Sequence, residues 1–403
     1  MTKNYKFQIK NSSNKKPPFL REDPDLSGGG FRIALVQDYI KEFGGAEAVL
    51  ENLSDVFPQA PIYTSVYKPA YLGPHQDRLQ KKWANRIRQS FFQYIPFAHK
   101  IISPLRLLSS LAFKSFDFSK FDLIITSATG AYLPNSLHKK SAKLICYCHT
   151  PPRYLYGLPT ARQFTQNKII KFLVDIVNHF LRLKDFCYSQ NVDQYIANSR
   201  TTAARIQKFY RRDALVINPP VDLPKIKPAL SREGARRAEG FFLAGGRLAR
   251  AKRFDIAIQA CNQLNLKLKI FGRDFANTLE ELKKISSPSI EFVGEVNQNE
   301  KAKLYQNAQA FIFSADQEDF GIVPVESMAY GCPVIAYRSG GVIETVVENK
   351  TGVFFDELTP ESCAKAIQKF QKLKIKSSDC ISRAAEFSTD KFISKIKKLV
   401  LRI

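Results

Sequence analysis

The sequence predicts an α/β protein of two domains, each a doubly wound parallel sheet with helices on both faces. Two observations support this prediction. The chain has 403 residues, which is long for one domain and sufficient for two. A hydrophobic strand, a glycine turn and an amphipathic helix follow one another twice, first from residue 31 and again from residue 241. That order is typical of the opening of a doubly wound sheet.

The first half of the chain alternates apolar runs with helical patterns. FRIALVQDY at 31–39 predicts a buried parallel strand, and AEAVLENLSDVF at 46–57 has apolar residues at helical spacing. Further strands are predicted at 122–128, 142–149, 192–199 and from 214, with a helix at 201–210. We therefore expect an N-terminal domain at 31–222, preceded by a mobile basic tail at 1–30.

The second half repeats the pattern after a polar segment. Residues 223–240 are rich in proline, glycine and charge, which predicts a linker between domains. Strands are predicted at FFLAGGRL, LKLKIFG, IEFVG, AFIFSA, PVIAY and GVFF, and helices at RFDIAIQACNQL and NEKAKLYQNA. We expect the C-terminal domain at 241–383 and a basic amphipathic helix at 384–403 that packs back on the N-terminal domain.

Ligands of open parallel sheets bind beyond the carboxyl ends of the strands. Two such domains that face each other form a cleft between them. Each motif discussed below follows a predicted strand, so we expect all of them to face that cleft.

Composition narrows the function classes. Lys and Arg number 61 against 37 Asp and Glu, a net charge of +24, which attracts nucleic acid, acidic lipid or phosphorylated small molecules. No helix-turn-helix, zinc-finger or RNP-type motif accompanies the charge, so nucleic acid is not the expected partner. No apolar run reaches about 18 residues and no secretory signal is evident, which favours a cytoplasmic protein. The seven cysteines lack metal-like spacing and are expected to be buried free thiols.

One basic segment is also rich in aromatic and aliphatic residues. Between Arg78 and Lys120 there are nine Lys and Arg and one acidic residue, Asp117. The apolar residues between them run from Trp83 to Phe113, and this combination favours contact with an anionic membrane surface. The alternative is a lobe of ordinary helices with a solvated basic face.

Two glycine turns follow the first strand of each half. Gly44 and Gly45 allow backbone N–H groups to approach an anion at a helix N-terminus, or they form only a tight turn. Gly246 and Arg247, with Lys252 downstream, form the matching turn in the second half. Two cations beside a glycine turn suit a diphosphate; the alternative is a solvated run of charge.

His149 ends a predicted strand and is followed by two prolines that fix a stiff turn. A lone histidine is usually structural, but this position places it at the cleft. Asp23 and Asp25, which flank Pro24, resemble a metal-nucleotide motif, yet they lie in the tail and are interpreted as a turn. No metal site is expected.

The segment EDFGIVPVE at 318–326 places two glutamates eight positions apart around a glycine turn. A helix is predicted to begin at Ile322, with Pro324 in its first turn and Gly331 ending it. Carboxylates repel phosphate but accept hydrogen bonds from sugar hydroxyls. Glu318 and Glu326 would therefore bind the two polyol ends of a ligand whose diphosphate lies on the basic residues. That ligand is a nucleoside-diphosphate sugar.

These motifs together resemble retaining glycosyltransferases of family 4, which have the GT-B fold of two Rossmann-like domains. The resemblance extends over about residues 31–403 and includes GGAE, CYCHTPPRYLY, ANS, PPVD, GGRLARAKRFD and EDFGIVPVE with the SMAYGCPVIAYRSGG that follows. HTPPRY and GGAE are similar to the bacterial subgroup that builds surface polysaccharides with mannose. LARAKR lacks the proline and the acid often found in the family between the arginine and the lysine.

The resemblance implies roles for individual residues. Arg247 and Lys252 would hold the diphosphate, and Glu326 the ribose. Glu318 would face the transferred sugar, where His149 would stabilise the reacting centre. The remaining donor-binding positions are backbone sites, namely Phe320, Gly321, Ile322, Gly246 and Gly272, while Gly44 and Gly45 would approach the phosphate or the acceptor.

The expected activity is transfer of a hexose, mannose from GDP-mannose in the first place, to a lipid-linked or polysaccharide acceptor at the inner face of the plasma membrane. The resemblance implies retention of configuration without a metal or other cofactor. Alternatives are a related enzyme that uses a UDP- or ADP-sugar on a soluble acceptor, as a synthase or epimerase would, and a basic nucleic-acid-binding protein.

Overall fold

The computed structural model describes residues 30–98, 101–160, 168–224, 240–275 and 277–402. The predicted tail and most of the predicted linker, including Asp23 and Asp25, lie outside the described residues. The strands of the first half are β1 (Ile33–Gln37), β2 (Ile62–Thr64), β3 (Ile87–Gln89), β4 (Leu123–Ala128), β5 (Lys143–Cys148), β6 (Gln194–Ala197) and β7 (Ala214–Val216). Those of the second half are β8 (Phe241–Gly245), β9 (Lys267–Phe271), β10 (Ile290–Gly294), β11 (Phe311–Phe313), β12 (Val334–Tyr337) and β13 (Gly352–Phe355).

The strands form two parallel sheets, one in each half of the chain. The first has the order β3-β2-β1-β4-β5-β6-β7 and the second the order β10-β9-β8-β11-β12-β13. In both sheets the strand order reverses direction beside the first strand of the half, between β1 and β4 and between β8 and β11. Such a switch point opens a crevice at the carboxyl edge of the sheet. The predicted fold class is confirmed.

The helices connect the strands and cover both faces of each sheet. In the first half they are α1 (Gly45–Val56), α2 (Gln76–Trp83), α3 (Ile102–Leu105), α4 (Ser109–Lys114), α5 (Lys168–Ser189) and α6 (Arg200–Tyr210). In the second half they are α7 (Phe254–Gln263), α8 (Thr278–Lys284), α9 (Gln298–Asn307), α10 (Ile322–Ala329), α11 (Pro360–Lys372), α12 (Ser377–Ala384) and α13 (Thr389–Val400). No helix of the described residues has both the length and the apolar character needed to cross a membrane.

Each sheet is buried on both faces, as expected for a doubly wound parallel sheet. On β5, Cys146 and Cys148 point into one apolar cluster while Tyr147 and Ile145 point into the cluster on the opposite face. Alternation with a period of two explains why every second residue of a continuous apolar run meets a different layer. Six of the cysteines are buried and Cys187 is exposed, and all seven are free thiols.

The last helix of the chain crosses back to the first half. Phe392, Ile396 and Val400 on α13 share an apolar cluster with Val49 and Leu53 on α1. Leu399 packs against the edge of this cluster. The contact makes the C-terminal segment part of the N-terminal core, so the chain returns to the first half after it has formed the second sheet.

The basic aromatic segment is less exposed than its composition suggests. Trp83, Phe92, Leu105 and Phe113 are buried in the core of the first half, and the Trp83 indole donates a hydrogen bond to Ser54. They cannot meet a lipid surface. The exposed apolar residues of this part of the chain are Phe91, Tyr94, Phe97, Ile101, Leu107, Leu108 and Leu111.

Candidate active site

The glycine turn of the first half abuts the second half. A Cβ added to Gly45 would lie 2.8 Å from the side chain of Ile322, the first residue of α10. A Cβ added to Gly44 would lie 3.8 Å from the guanidinium of Arg247, which follows β8. The absence of side chains at these two glycines therefore lets the backbone ahead of α1 approach the opposite domain. Gly44, Gly45, Arg247 and Ile322 meet at the carboxyl edges of the two sheets.

Acidic residues surround this glycine turn. Glu42 forms an ion pair with Arg247 at 3.3 Å, and the backbone N–H of Gly44 donates a hydrogen bond to the Glu47 carboxylate at 3.0 Å. Burial, together with the charge of Glu42, raises the pKa of Glu47 to about 8. Glu47 is thus largely protonated at neutral pH, while Glu42 supplies the negative charge beside Arg247.

The second glycine turn is packed directly against another turn. Gly246 has φ +121° and Gly272 has φ +138°, which are conformations that glycine adopts readily. A Cβ on Gly272 would lie 1.7 Å from the carbonyl oxygen of Gly246. The turns after β8 and β9 are therefore in backbone contact. Arg247 lies with its guanidinium 5.3 Å from the centre of the Phe275 ring.

Glu318 and Lys252 form a close ion pair in the second half. The Lys252 ammonium donates a hydrogen bond to the Glu318 carboxylate at 2.6 Å, and both side chains are about one quarter exposed. Burial opposes ionisation of Glu318, but the charges of Lys252, Arg153 and Arg205 outweigh it and lower its pKa. Glu318 is therefore a carboxylate over the physiological range of pH, and both of its oxygens can accept hydrogen bonds.

Glu326, on α10, lies apart from Glu318. Its carboxylate accepts hydrogen bonds from Lys301 at 3.0 Å and from the Tyr305 hydroxyl at 3.2 Å, both on α9. Between the two glutamates, Gly321 has φ +87° and begins α10 without a side-chain cap. The first N–H groups of a helix favour an anion at such a position. Phe320 is buried against Phe387, so it contributes only its backbone here.

His149 lies at the carboxyl end of β5, with its ring in the first half. Its Nε2 is 3.0 Å from the Ser127 hydroxyl, and its backbone carbonyl accepts hydrogen bonds from Asn198 and Thr202. Burial lowers the pKa of His149 to about 3. The imidazole is therefore neutral at physiological pH, and its Nε2 shares a hydrogen bond with the Ser127 hydroxyl.

Sequence reasoning missed an ion-pair cluster that joins the domains. Asp319 of the second half accepts hydrogen bonds from Arg153, at 2.7 Å, and from Arg205, both of the first half. The same two guanidiniums donate to the carbonyl oxygen of Gln317. Ser199 donates to the carbonyl oxygen of Asp319. We refer to Asp319, Arg153 and Arg205 as the domain clamp.

A second contact between the domains was also missed. Glu344 of the second half accepts hydrogen bonds from the backbone N–H groups of Arg200 and Thr201 at 2.8 and 2.9 Å. These are the first two residues of α6, where a carboxylate satisfies free N–H groups and complements the helix dipole. Neither cluster has a local sequence signature, because its members lie more than 100 positions apart in the chain.

Asp38 is a third functional candidate without a sequence signal. It is fully buried at the carboxyl end of β1 and accepts hydrogen bonds from Thr129 and from the backbone N–H groups of Ala131 and Tyr132. Burial raises the pKa of Asp38 to about 6. These bonds connect β1 to the loop after β4, and Gly130 in that loop has a Cβ position only 2.7 Å from the carbonyl oxygen of Thr150.

Comparison with protein families matches nearly the whole described chain. Residues 43–225 match the model described as glycosyltransferase family 4, and residues 229–387 match the model described as glycosyl transferases group 1. The chain is 24% identical to alpha-1,3/1,6-mannosyltransferase ALG2 of Mus musculus and to that of Homo sapiens, each over 70% of this chain and 74% of the relative. It is 29% identical to D-inositol 3-phosphate glycosyltransferase of Corynebacterium urealyticum, over 44% of this chain and 48% of the relative.

Solved structures show the same two-domain architecture. HepE of Anabaena, in complex with UDP and glucose, superimposes with a TM-score of 0.65 and 16% identity, over 92% of this chain and all of that protein. Sucrose-phosphate synthase of Thermosynechococcus elongatus superimposes with a TM-score of 0.70 and 17% identity, over 92% and 98%. Similarity at this level of identity concerns the fold.

Proposed function

Since the chain belongs to glycosyltransferase family 4 and has the GT-B fold, we propose that it transfers mannose from GDP-mannose to a lipid-linked or polysaccharide acceptor. The donor is suggested by the mannosyltransferases among its relatives, at about 24% identity. The enzyme would act as a peripheral protein on the inner face of the plasma membrane. The nucleotide, the sugar and the acceptor are the parts of this proposal that experiments must test.

The observation that carries the proposal is the alternation of charge along the edge of the second sheet. Glu318 precedes the uncapped start of α10 and Glu326 lies within that helix. Lys252 pairs with Glu318, and the turn that carries Arg247 approaches α10, since a Cβ on Gly246 would lie 3.8 Å from the Val323 side chain. A nucleoside-diphosphate sugar has the complementary order of neutral polyol, dianionic diphosphate and neutral polyol. The cations and helix N–H groups would hold the diphosphate, and the carboxylates would hold the sugar and ribose hydroxyls.

Donor binding would exchange ion pairs. Arg247 is now paired with Glu42, and Lys252 with Glu318. Phosphate oxygens would replace these carboxylates as partners of the two cations. Glu318, freed from Lys252, would then accept hydrogen bonds from the hydroxyls of the transferred sugar. Because both carboxylates remain at the site, the diphosphate would add about two negative charges, which the two cations and the N–H groups at the start of α10 would have to balance.

The transfer step would retain the anomeric configuration. The acceptor hydroxyl oxygen forms a bond to the anomeric carbon, the bond from that carbon to the phosphate oxygen breaks, and the acceptor proton moves to the departing phosphate. The protein would stabilise the charge that develops on the diphosphate through Arg247 and Lys252. His149 is neutral, so it would orient the reacting sugar by hydrogen bonding and would not donate the proton.

The domain clamp would hold the two halves in the productive arrangement. Asp319 is adjacent to Glu318, and both Arg153 and Arg205 come from the N-terminal domain, which would bind the acceptor. Formation of the clamp therefore places the donor-side carboxylate next to the end of β5 that carries His149. Closure of a cleft in this way excludes water and limits hydrolysis of the donor.

Thermal unfolding with a panel of ligands tests the donor. A ligand that binds only the native state, at 100 times its Kd, stabilises the protein by about 2.7 kcal/mol. The panel contains GDP, GDP-mannose, UDP, UDP-glucose, ADP and ADP-glucose, each with wild type and with Arg247→Ala. We expect a rise in Tm with GDP and GDP-mannose in wild type only. A rise with uridine or adenosine compounds alone would refute the mannose donor and retain the glycosyltransferase mechanism.

A transfer assay tests the acceptor. Radiolabelled GDP-mannose is incubated with purified protein and with total lipid or polysaccharide extracts from the source cells, and product is followed in the lipid and polymer fractions. Incorporation that is absent in Lys252→Ala supports the proposal. Release of free mannose with no incorporation in any extract would count against a glycan or lipid acceptor.

A further inference from the structure

Helix α5 carries an exposed apolar stripe. Eight large apolar side chains of the helix are each 39–73% exposed, namely Ile169, Ile170, Phe172, Leu173, Ile176, Val177, Phe180 and Leu183. Their spacings of three and four residues align them along one side of a helix. Exposed apolar side chains are common singly, but a contiguous row of this size marks an interaction surface.

The stripe lies opposite the side of α5 that packs on the protein. The buried residues of the helix are Leu181, Asp185 and Ser189, four residues apart and therefore on one face. At 3.6 residues per turn, Ile176 and Phe180 are rotated by about half a turn from that face. The helix is thus anchored along one line and presents its apolar stripe outward.

Other exposed apolar residues continue the surface next to α5. Helices α4 and α5 both contact the turn Pro134–Ser136, and the Lys114 ammonium lies 5.1 Å from the centre of the Tyr188 ring at the end of α5. Leu107, Leu108 and Leu111, just before or within α4, are 47–52% exposed. The two segments therefore lie on neighbouring elements of the first half, and each exposes apolar side chains.

Basic residues flank this surface. Lys168, Lys171, Arg182 and Lys184 of α5 are exposed, and Asp175 is the exposed acid of the same helix. The other acid, Asp185, is buried and is held by hydrogen bonds from Tyr156 and Tyr210. Long basic side chains beside an apolar stripe can lie along the apolar surface while their charges reach outward to lipid phosphates.

We propose that α5, together with the exposed residues 107–111, lies in the interface of an anionic phospholipid bilayer. This surface would be the main contact in the membrane association that the proposed function includes. The proposal rests on that function only for its biological purpose. The membrane contact predicted from composition included Trp83 and Phe113, which are buried. The main contact proposed here is α5, a helix outside segment 78–120. The recognised chemistry is a phosphodiester headgroup surface above acyl chains.

Charge favours the bilayer over a second copy of the chain as the occupant. A pair of α5 helices from two copies would bring together two helices that each expose four basic residues and one acid, Asp175. Like charges repel, and each copy of the chain carries a net charge of +24. An anionic bilayer is attracted by the same residues and accommodates the aromatic rings at its interface.

Vesicle sedimentation tests the proposal with the full-length protein. Wild type is mixed with vesicles of phosphatidylcholine alone or with about one part phosphatidylglycerol in three. The variant Phe172→Glu with Phe180→Glu places two charges on the stripe. The matched control, Gln368→Glu with Gln371→Glu, makes the same change of charge at exposed positions of α11. We expect the stripe variant to bind anionic vesicles at least about tenfold more weakly than the control, and wild type to prefer the anionic vesicles.

The single exposed cysteine provides a direct probe. Cys187 follows Phe180 and Leu183 at intervals of seven and four residues, so it lies on the stripe, and the other six cysteines are buried. An environment-sensitive fluorophore on Cys187 should shift to shorter wavelength with anionic vesicles. No shift and no sedimentation of folded wild type would overturn the proposal, as would equal binding by both double variants. A dimer in solution that is lost in the stripe variant would also overturn it, in favour of a second copy.

The test is separate from that of the donor. The stripe variant should keep the rise of Tm with nucleotide, because α5 belongs to the first half of the chain whereas Arg247 and Lys252 follow β8 in the second half. Loss of vesicle binding with nucleotide binding retained supports the surface. Absence of nucleotide binding in every variant would refute the proposed donor and leave the vesicle result to decide the surface.

Discussion

The substitution Asp319→Asn tests whether the domain clamp holds the two halves together. Asp319 accepts hydrogen bonds from Arg153 and Arg205, and its side chain is 23% exposed against 9% for Arg205. A hydrogen bond to a charged group contributes about 1.5–3 kcal/mol, roughly twice the neutral value. The amide keeps one acceptor oxygen, and the Gln317 carbonyl remains bonded to both guanidiniums. We therefore expect the arrangement to weaken by about 2 kcal/mol, which is about 30-fold in an equilibrium constant.

The assay has a structural and a kinetic readout. Small-angle scattering of the unliganded variant should show a larger radius of gyration, and kcat/KM for the donor should fall by up to about 30-fold. The control is Asp356→Asn, which alters the ion pair between Asp356 and Arg338. Because the Asp356 side chain is 70% exposed, this substitution should change the radius of gyration and kcat/KM little. An unchanged radius together with wild-type kcat/KM in Asp319→Asn would refute the reasoning, because the clamp would then be incidental to closure.

Three further predictions follow from the site. Arg247→Ala should lower kcat/KM by at least about 100-fold with the fold intact, because a cation beside the leaving diphosphate would be lost. Transfer kinetics measure kcat/KM, nucleotide titration measures the affinity and circular dichroism checks the fold; wild-type donor affinity would contradict the assignment. Gly272→Ala should lower Tm and abolish nucleotide binding, because its Cβ would collide with the carbonyl oxygen of Gly246, as differential scanning fluorimetry will show. The free energy of unfolding should fall as pH rises from about 5 to 8, because the native state keeps protons on acids that ionise near their ordinary pKa when unfolded. The buried acids concerned are Asp38, Asp185 and Glu47, whose pKa values are raised to about 6, 7 and 8. Urea denaturation at several pH values measures how steeply the free energy of unfolding falls, and Glu47→Gln should make this fall less steep.

The long apolar strands could be predicted because both faces of a parallel sheet are buried. Every residue of β1 is buried, and the run FRIALVQDY shows this directly. The helix start at Ile322 and its end before Gly331, which has φ +75°, were also predicted correctly from residue type. Strands β2 and β3 have only three residues each, too few for any periodicity to appear, and they were missed.

The local motifs of the candidate site could be proposed from the sequence, but the ion pairs between the two domains could not. Glycine turns and clustered cations have local signatures, so Gly246, Arg247 and Lys252 could be proposed from the sequence alone. The partners of Asp319 could not, because Arg153 and Arg205 reach it only after two domains have folded and docked. The apolar stripe on α5 was not singled out from the sequence, because a helical period alone does not show whether the apolar side is buried or exposed. Only the fold shows that the helix is anchored by its opposite face.

The neighbouring residues Glu318 and Asp319 would link the exchange of ion-pair partners on donor binding to the closure of the two domains. Glu318 and Asp319 are neighbours, and in the present arrangement one neutralises Lys252 while the other joins Arg153 and Arg205. If a donor phosphate takes Lys252 from Glu318, the charges of the two clamp arginines become the nearest compensation for that carboxylate. Since opposite charges in a partly buried site attract more strongly than in water, donor binding would strengthen the clamp. The two adjacent acids would in this way couple diphosphate binding to the domain interface, so a change at Asp319 is expected to alter turnover although Asp319 does not bind the donor.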